Sequence, residues 1–264
     1  MQKLGNLYMV PVTLGDDRLN YALPNDVMTL VRTLDHFVVE NEKSARQFLS
    51  ALKTNKPVRE LSMQTLNEHT ADKDLPALLA PLLAGHHVGM LSEAGCPGVA
   101  DPGAKLADIA HRKGIKVVPL VGPSSILLGL MASGLNGQQF SFLGYLPSDK
   151  NQRVTKIKEI EKQSQKRHET QIFIETPYRN QHVLEDILLH CSPSTKLCIA
   201  RNVSLEGEYI ITKTIAEWKK NELPDLQSSS RYFFYWLKLS LKNRFLRPSL
   251  LPYQRYIQFL QGHQ

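Results

Sequence analysis

The chain has 264 residues, 42% of them apolar, enough to bury one large core or two cores of ordinary size. No apolar run approaches the roughly eighteen residues of a membrane span, and the start, MQKLGNLYMVPV, lacks the order of a signal peptide. These features exclude a membrane-spanning class and predict a cytoplasmic protein with no transmembrane segment. The net charge of +7 suggests nucleic acid until it is located. Residues 227–264 hold six basic and no acidic residues, leaving 26 basic and 25 acidic residues in 1–226, so the body is nearly neutral.

In chain order, strand-like runs alternate with helical stretches. The strand candidates are NLYMVPV, HFVVE, VGMLS, IKVVPLV, FSFLGYL, TQIFIET, KLCIARN and EYIITKTI. Amphipathic segments lie between them, among them ENEKSARQFLSALK, DLPALLAPLLAG and RNQHVLEDILLHC. That alternation predicts an α/β protein with mainly parallel sheet. A break falls in PLVGPSSILLGLMASGLNG, where a strand ends at Val121, a Gly-Pro turn follows and Ser124 can cap a helix from Ile126 to Leu135. The expected domains are therefore 1–121 and 122–226. Residues 227–264, with nine of the chain's twenty aromatics, form a basic aromatic tail. The tail is expected to be dispensable for cofactor binding; it can lie on a membrane surface, bind RNA or pack as an accessory helix.

The stretch GMLSEAGCPGVADPGAKLADIA is the most informative. Pro97, Pro102, Gly95, Gly98 and Gly103 forbid continuation of the strand before them and expose backbone where doubly wound sheets bind small molecules. A tight strand-to-helix connection capped by Asp101 would need fewer such residues, so a ligand loop is favoured. The first strand ends likewise, in VPVTLGDD, where Asp16 and Asp17 can face the same ligand or simply be solvated. Cys96, Cys191 and Cys198 form no CxxC pair and have no His at ligand spacing, so no metal is expected. No Rossmann, P-loop, HExxH or GxSxG motif occurs. In IFIETPYRN, Glu175 and Arg179 either face a cleft or form a salt bridge that fixes the turn. Lys150 and Arg153 can contact an anionic substrate or belong to a solvated loop.

Five ordered motifs, GNLYMVPVTLGDD, LSEAGCPGVADPG, VVPLVGPSSILLGLMASGL, FLGYLPSDKNQR and IFIETPYR, resemble the tetrapyrrole (corrin/porphyrin) methylase family. The nearest branch contains the cytidine 2′-O-ribose methyltransferases of small-subunit ribosomal RNA. The resemblance, covering about Gly5 to Trp218, implies two α/β/α domains with S-adenosyl-L-methionine in the inter-domain cleft and a homodimeric assembly. Carried over by position, the implied cofactor contacts are Pro11, Leu14 and Gly15; Ser92, Cys96, Val99 and Asp101; Ser124 and Ser125; and Ile174 and Ala200. A ribose acceptor needs a base within hydrogen-bond reach, for which Glu175 and Glu40 are candidates.

The chain departs from that branch in its second half and after its second strand. VENEKSARQF keeps Glu40 but has Asn41 where the branch has Asp, ARNVSLEGEY replaces an Ala-Arg-Glu-Leu-Thr-Lys segment, and Lys213 stands for a Gly. The pattern reads as a divergent paralogue, with RNA or a ribosomal subunit as the leading partner. A tetrapyrrole or other small metabolite as acceptor, and a non-catalytic S-adenosylmethionine-binding protein, are the alternatives.

Overall fold

The computed structural model describes residues 3–15, 18–224 and, as backbone, 232–238. Asp16, Asp17 and the rest of the tail lie outside the described residues. The first half comprises β1 (Leu7–Val10), α1 (Leu19–Ala22), α2 (Asn25–Arg32), β2 (His36–Val39), α3 (Glu42–Leu52), β3 (Ser62–Thr65), α4 (Ala80–Leu83), β4 (Val88–Leu91), α5 (Gly103–Arg112) and β5 (Val117–Pro119). The second comprises α6 (Ser125–Ser133), β6 (Phe140–Tyr145), α7 (Lys150–Arg167), β7 (Thr170–Glu175), α8 (Pro177–His190), β8 (Thr195–Arg201), β9 (Tyr209–Thr214), α9 (Ile215–Trp218) and β10 (Tyr232–Lys238).

The first sheet is wholly parallel, in the order β3-β2-β4-β1-β5. Its central strand β4 is buried at every position, which is why VGML is an unbroken apolar run rather than an alternating one. On one face α2 and α3 bury Val27, Met28, Val31, Leu49 and Leu52; on the other α5 and the 72–83 segment bury Leu106, Ala110, Leu75 and Leu79. Pro76 and Pro81 remove donors from that segment, so 72–79 is a 3-10 helix and only the single turn α4 is α-helical. Asn41 caps α3, its Oδ1 accepting the N–H groups of Lys43 at 2.9 Å and Ser44 at 3.3 Å.

The second sheet has the order β6-β7-β10-β8-β9 and is mixed: β6 and β7 are parallel, whereas the other three pairings are antiparallel. The expectation of mainly parallel sheet therefore holds for the first half and not for the second. Successive residues of β7 and β8 alternate between two cores. Ile172, Ile174, Cys198 and Ala200 pack with Ile126 and Leu130 of α6, while Phe173, Leu197 and Ile199 pack with α7, α8 and Trp218. Helices thus cover both faces of each sheet.

The antiparallel character comes from β10. It lies between β7 and β8, with Phe233 opposite both Ile174 and Ala200. Residues 232–238 are therefore the middle strand of a sheet, and this part of the expected tail is packed into the second half. A middle strand supplies a ladder to each neighbour, and without it β7 and β8 would each present an open edge.

Candidate functional site

In the first sheet, the chain leaves β1 toward α1 and α2 on one face and leaves β4 toward α5 on the other. The two loops diverge at adjacent strand ends, which opens a crevice at the carboxyl edge of the sheet. An antiparallel bridge holds them at the base, the Val12 N–H donating to Gly95 O at 2.9 Å. The turn after β5 closes the third side. There Gly122 lies against the Pro11 ring so closely that a Cβ would stand 2.2 Å from Pro11 Cγ.

The loop after β4 is wired internally. Ser92, 8% exposed, directs its hydroxyl to Ala94 O and Gly95 O at 3.4 Å each. The Cys96 thiol donates to Pro123 O at 3.3 Å, tying this loop to the Gly-Pro-Ser turn. Burial, and then the nearby Asp101 carboxylate, pushes that thiol above its ordinary range. Asp101 Oδ1 accepts the N–H groups of Gly98 and Gly103, each at 2.7 Å, so this carboxylate folds its own loop and starts α5. Burial pushes its pKa up, with the two N–H groups opposing. Asp101 Oδ2 is buried without a hydrogen-bond partner among the described residues. Between these anchors Ala100 takes a left-handed φ of 62° and Val99 stands 50% exposed.

The remaining positions implied by the resemblance divide between the two halves. Pro11 is buried under Gly122, Leu14 is half-buried and Gly15 is exposed beside Leu205. Arg18 reaches Ser204 O, so the β8–β9 connection of the second half meets the first loop. Ser124 caps α6 by accepting from the Leu127 N–H at 3.5 Å, with Ser125 the first helical residue. Ile174 and Ala200 lie beneath α6 on the two strands that flank β10. The described structure thus brings together the loops after β1, β4 and β5 and the start of α6.

The expectation that Arg153 contacts substrate is corrected. Its guanidinium is buried, donating from Nε to Asp186 Oδ2 at 2.8 Å and from Nη1 to Ser148 O at 2.9 Å. Of the two readings of Glu175 and Arg179, the geometry is that of the salt bridge. Arg179 Nη2 stands 3.1 Å from Glu175 Oε2 and also donates to Leu146 O and Pro147 O at 2.8 and 2.9 Å. Glu175 Oε1 accepts the Thr176 N–H at 2.9 Å. Burial of this fully enclosed carboxyl raises its pKa against the opposing Thr176 N–H and Arg179. Glu175 therefore has no open face for an acceptor hydroxyl. Together the two arginines clamp the carbonyls of residues 146–148. Lys150 is exposed on the first turn of α7.

Glu40 is half-buried at the end of β2, and its Oε2 accepts the Glu93 N–H at 3.0 Å. Beside it, between the loops after β1 and β4 and the outer turns of α3, is a cavity of about 500 Å³. Thr13, Ser44, Gln47, Phe48 and Glu93 line it together with Gly15 and Ser92. The first five were not singled out from the sequence. Ser44, Gln47 and Phe48 belong to α3, where they read as part of an ordinary amphipathic helix, and only the fold shows that this side of it meets the loops that carry Thr13 and Glu93. Among the described residues no group of three or more His, Cys, Asp or Glu side chains could hold a metal, and no helix is long and apolar enough to cross a membrane.

The fold and this three-loop crevice are those of an S-adenosylmethionine-dependent methyltransferase. The chain belongs to the tetrapyrrole (corrin/porphyrin) methylase family, whose description matches residues 6–219. It is 33% identical over 215 residues to the ribosomal RNA small subunit methyltransferase I of Vibrio cholerae, covering 80% of this chain and 69% of that protein. It is 29% identical to the enzyme of the same name from Halalkalibacterium halodurans, over 84% of this chain and 69% of that one. Among solved structures, the methyltransferase CobJ superposes with a TM-score of 0.60 at 16% identity, covering 91% of this chain and 97% of its own. The uroporphyrin-III-C-methyltransferase of Thermus thermophilus superposes at 0.53 and 18% identity, covering 89% of this chain and 92% of its own. These last two speak for the fold alone.

Proposed function

We propose that the protein methylates a ribose hydroxyl of small-subunit ribosomal RNA, in the cytoplasm and as a homodimer. The observation that carries the cofactor assignment is the meeting of Pro11, Gly95–Cys96 and Gly122–Pro123, which leaves backbone groups as the walls of a narrow crevice. The residues fit a cofactor rich in N–H and O–H donors. Asp101 Oδ2 is a buried acceptor with no donor among the described residues, and Val99 and Ala100, close by in sequence, are exposed. In this reading the loop positions Pro11, Leu14, Gly15, Ser92, Cys96, Val99 and Asp101 hold S-adenosylmethionine from the first half. Ser124 and Ser125 hold it from the second, while Ile174 and Ala200, enclosed beneath α6, support that helix rather than touch the cofactor. The RNA acceptor is supported by the names of the relatives at 29–33% identity.

When bound, S-adenosylmethionine supplies a methyl group on a positively charged sulfur, ready for in-line displacement. The chain's task is then alignment and exclusion of water rather than chemistry of its own. Of the two candidate bases, Glu175 is enclosed, which leaves Glu40 to take the hydroxyl proton, and its bond to the Glu93 N–H orients it. Lys150 and the other exposed basic residues supply phosphate contacts.

The homodimer is supported by α6. Its sequence SILLGLMAS is largely apolar; Ile126, Gly129, Leu130 and Ser133 are buried and Leu128 packs against the same core, yet Leu127 is 51%, Met131 78% and the preceding Val121 72% exposed. A helix apolar on every side is normally covered on every side.

The test is transfer of labelled methyl groups from S-adenosylmethionine to small-subunit ribosomal RNA, with digestion of the product to nucleosides. A 2′-O-methylnucleoside is expected. Labelling of a tetrapyrrole and not of RNA would replace this acceptor with the metabolite reading.

A further inference from the structure

We infer that the cavity beside α3 is a second ligand site, separate from the cofactor crevice, and that it takes one unstacked ribonucleoside of a single-stranded RNA. This inference rests on the proposed methyltransferase reading and specifies how its acceptor is held. The cavity's position is the first argument. It shares Gly15 and Ser92 with the positions implied for the cofactor but none of Cys96, Val99, Asp101, Ser124 or Ser125. It therefore abuts the crevice through one thin wall, as a methyl acceptor must.

Its size and chemistry are the second. A volume of about 500 Å³ falls inside the range of sites that enclose one small ligand. Phe48, half-buried on α3, gives a flat apolar wall, and Gln47, Ser44 and Thr13 supply both donors and acceptors. A base splayed from a single strand is recognised by this combination of a stacking face and edge-reading polar groups. Among the described residues the lining contains no Lys, Arg or His and does contain Glu93. A phosphate is repelled there, so the neutral nucleoside enters and the phosphodiesters stay outside. Glu93 is itself held in place, its N–H anchored on the Glu40 carboxylate across the ends of β2 and β4.

Ala51 offers the direct test. It lines the cavity from an exposed position on α3, so Ala51→Trp fills the space without entering the core. Phe48→Ala removes the stacking wall and serves as the second variant. The full chain, saturated with S-adenosylhomocysteine, is titrated in about 0.2 M salt with a fluorescent mixed-sequence decaribonucleotide, and separately with S-adenosylmethionine. We expect the wild type to bind RNA and both variants to bind it about tenfold more weakly, with cofactor affinity changed less than twofold. Unchanged RNA affinity in Ala51→Trp, or no RNA binding by the wild type, would overturn the proposal while leaving cofactor binding intact. A cofactor affinity that falls in step with the RNA affinity would also overturn it, by assigning the cavity to the cofactor. Failure of the wild type to bind S-adenosylmethionine is the distinct outcome that removes the methyltransferase reading, and this inference with it.

Discussion

Gly122 and Pro11 are in contact so close that no side chain fits between them: a Cβ on Gly122 would lie 2.2 and 2.3 Å from the Pro11 ring carbons. The contact joins the turn after β5 to the loop after β1 and so sets the width of the crevice. Gly122 does not need glycine for a left-handed backbone; it needs glycine for space. Gly122→Ala is expected to cost about 2 kcal/mol or more and to weaken S-adenosylmethionine binding at least tenfold, because one loop must retreat. Urea unfolding and calorimetry on the same variant check the two effects.

Asp101 separates folding of the loop from charge. Asp101→Ala leaves the Gly98 and Gly103 N–H groups unpaired and should cost about 2 kcal/mol, whereas Asp101→Asn retains an oxygen for both and should cost less than about 1 kcal/mol. Burial raises the folded-state pKa of Asp101 above the unfolded value, so the folded chain binds this proton more tightly. Its contribution is thus most favourable below about pH 4 and falls as pH rises through the raised pKa. Relative to wild type, Asp101→Asn should gain stability as pH is raised from 4 to 7. A constant difference across that range would contradict the assignment.

Arg153 and Asp186 are expected to be structural. Asp186→Ala strands a buried guanidinium and should destabilise the second half by about 3–5 kcal/mol. The double replacement Arg153→Met, Asp186→Leu should recover most of that loss and leave RNA affinity unchanged. A double variant that folds well but loses RNA binding would return Arg153 to the substrate surface. Denaturant titration and RNA binding are the two readings.

A chain ended after residue 226 lacks β10, so β7 and β8 lose their shared neighbour. Such a chain is expected to lose cooperative unfolding of its second half, seen as missing near-ultraviolet dichroism and rapid proteolysis beyond Gly122. A chain ended after 240 should keep the near-ultraviolet dichroism and resist proteolysis.

Most strands of both halves were legible as apolar runs, because strands covered by helices on both faces bury side chains on both faces. β3, with SMQT, was not: it is a polar, four-residue edge strand whose pairing to β2 is set by the fold rather than by hydrophobicity. β10 was missed for the opposite reason. Its run YFFYWLK is as strand-like as any in the chain, but the surrounding basic, acid-free composition drew attention to the segment as a surface tail. At the site, the loops were legible through Gly and Pro, whose backbone demands are local. The fates of Glu175 and Arg153 were not, because a carboxylate or guanidinium at a strand end reads alike whether it faces a cleft or a buried partner. The α3 cavity was illegible for a related reason: Ser44, Gln47 and Phe48 become a wall only when helix and loops are placed together.

The central claim is that the loops after β1, β4 and β5 hold S-adenosylmethionine, and calorimetric titration of the full chain with S-adenosylmethionine and S-adenosylhomocysteine tests it most directly. Saturable one-site binding of both is expected, weakened at least tenfold in Gly122→Ala and reduced in Asp101→Ala. A folded wild-type chain that binds neither would contradict the account.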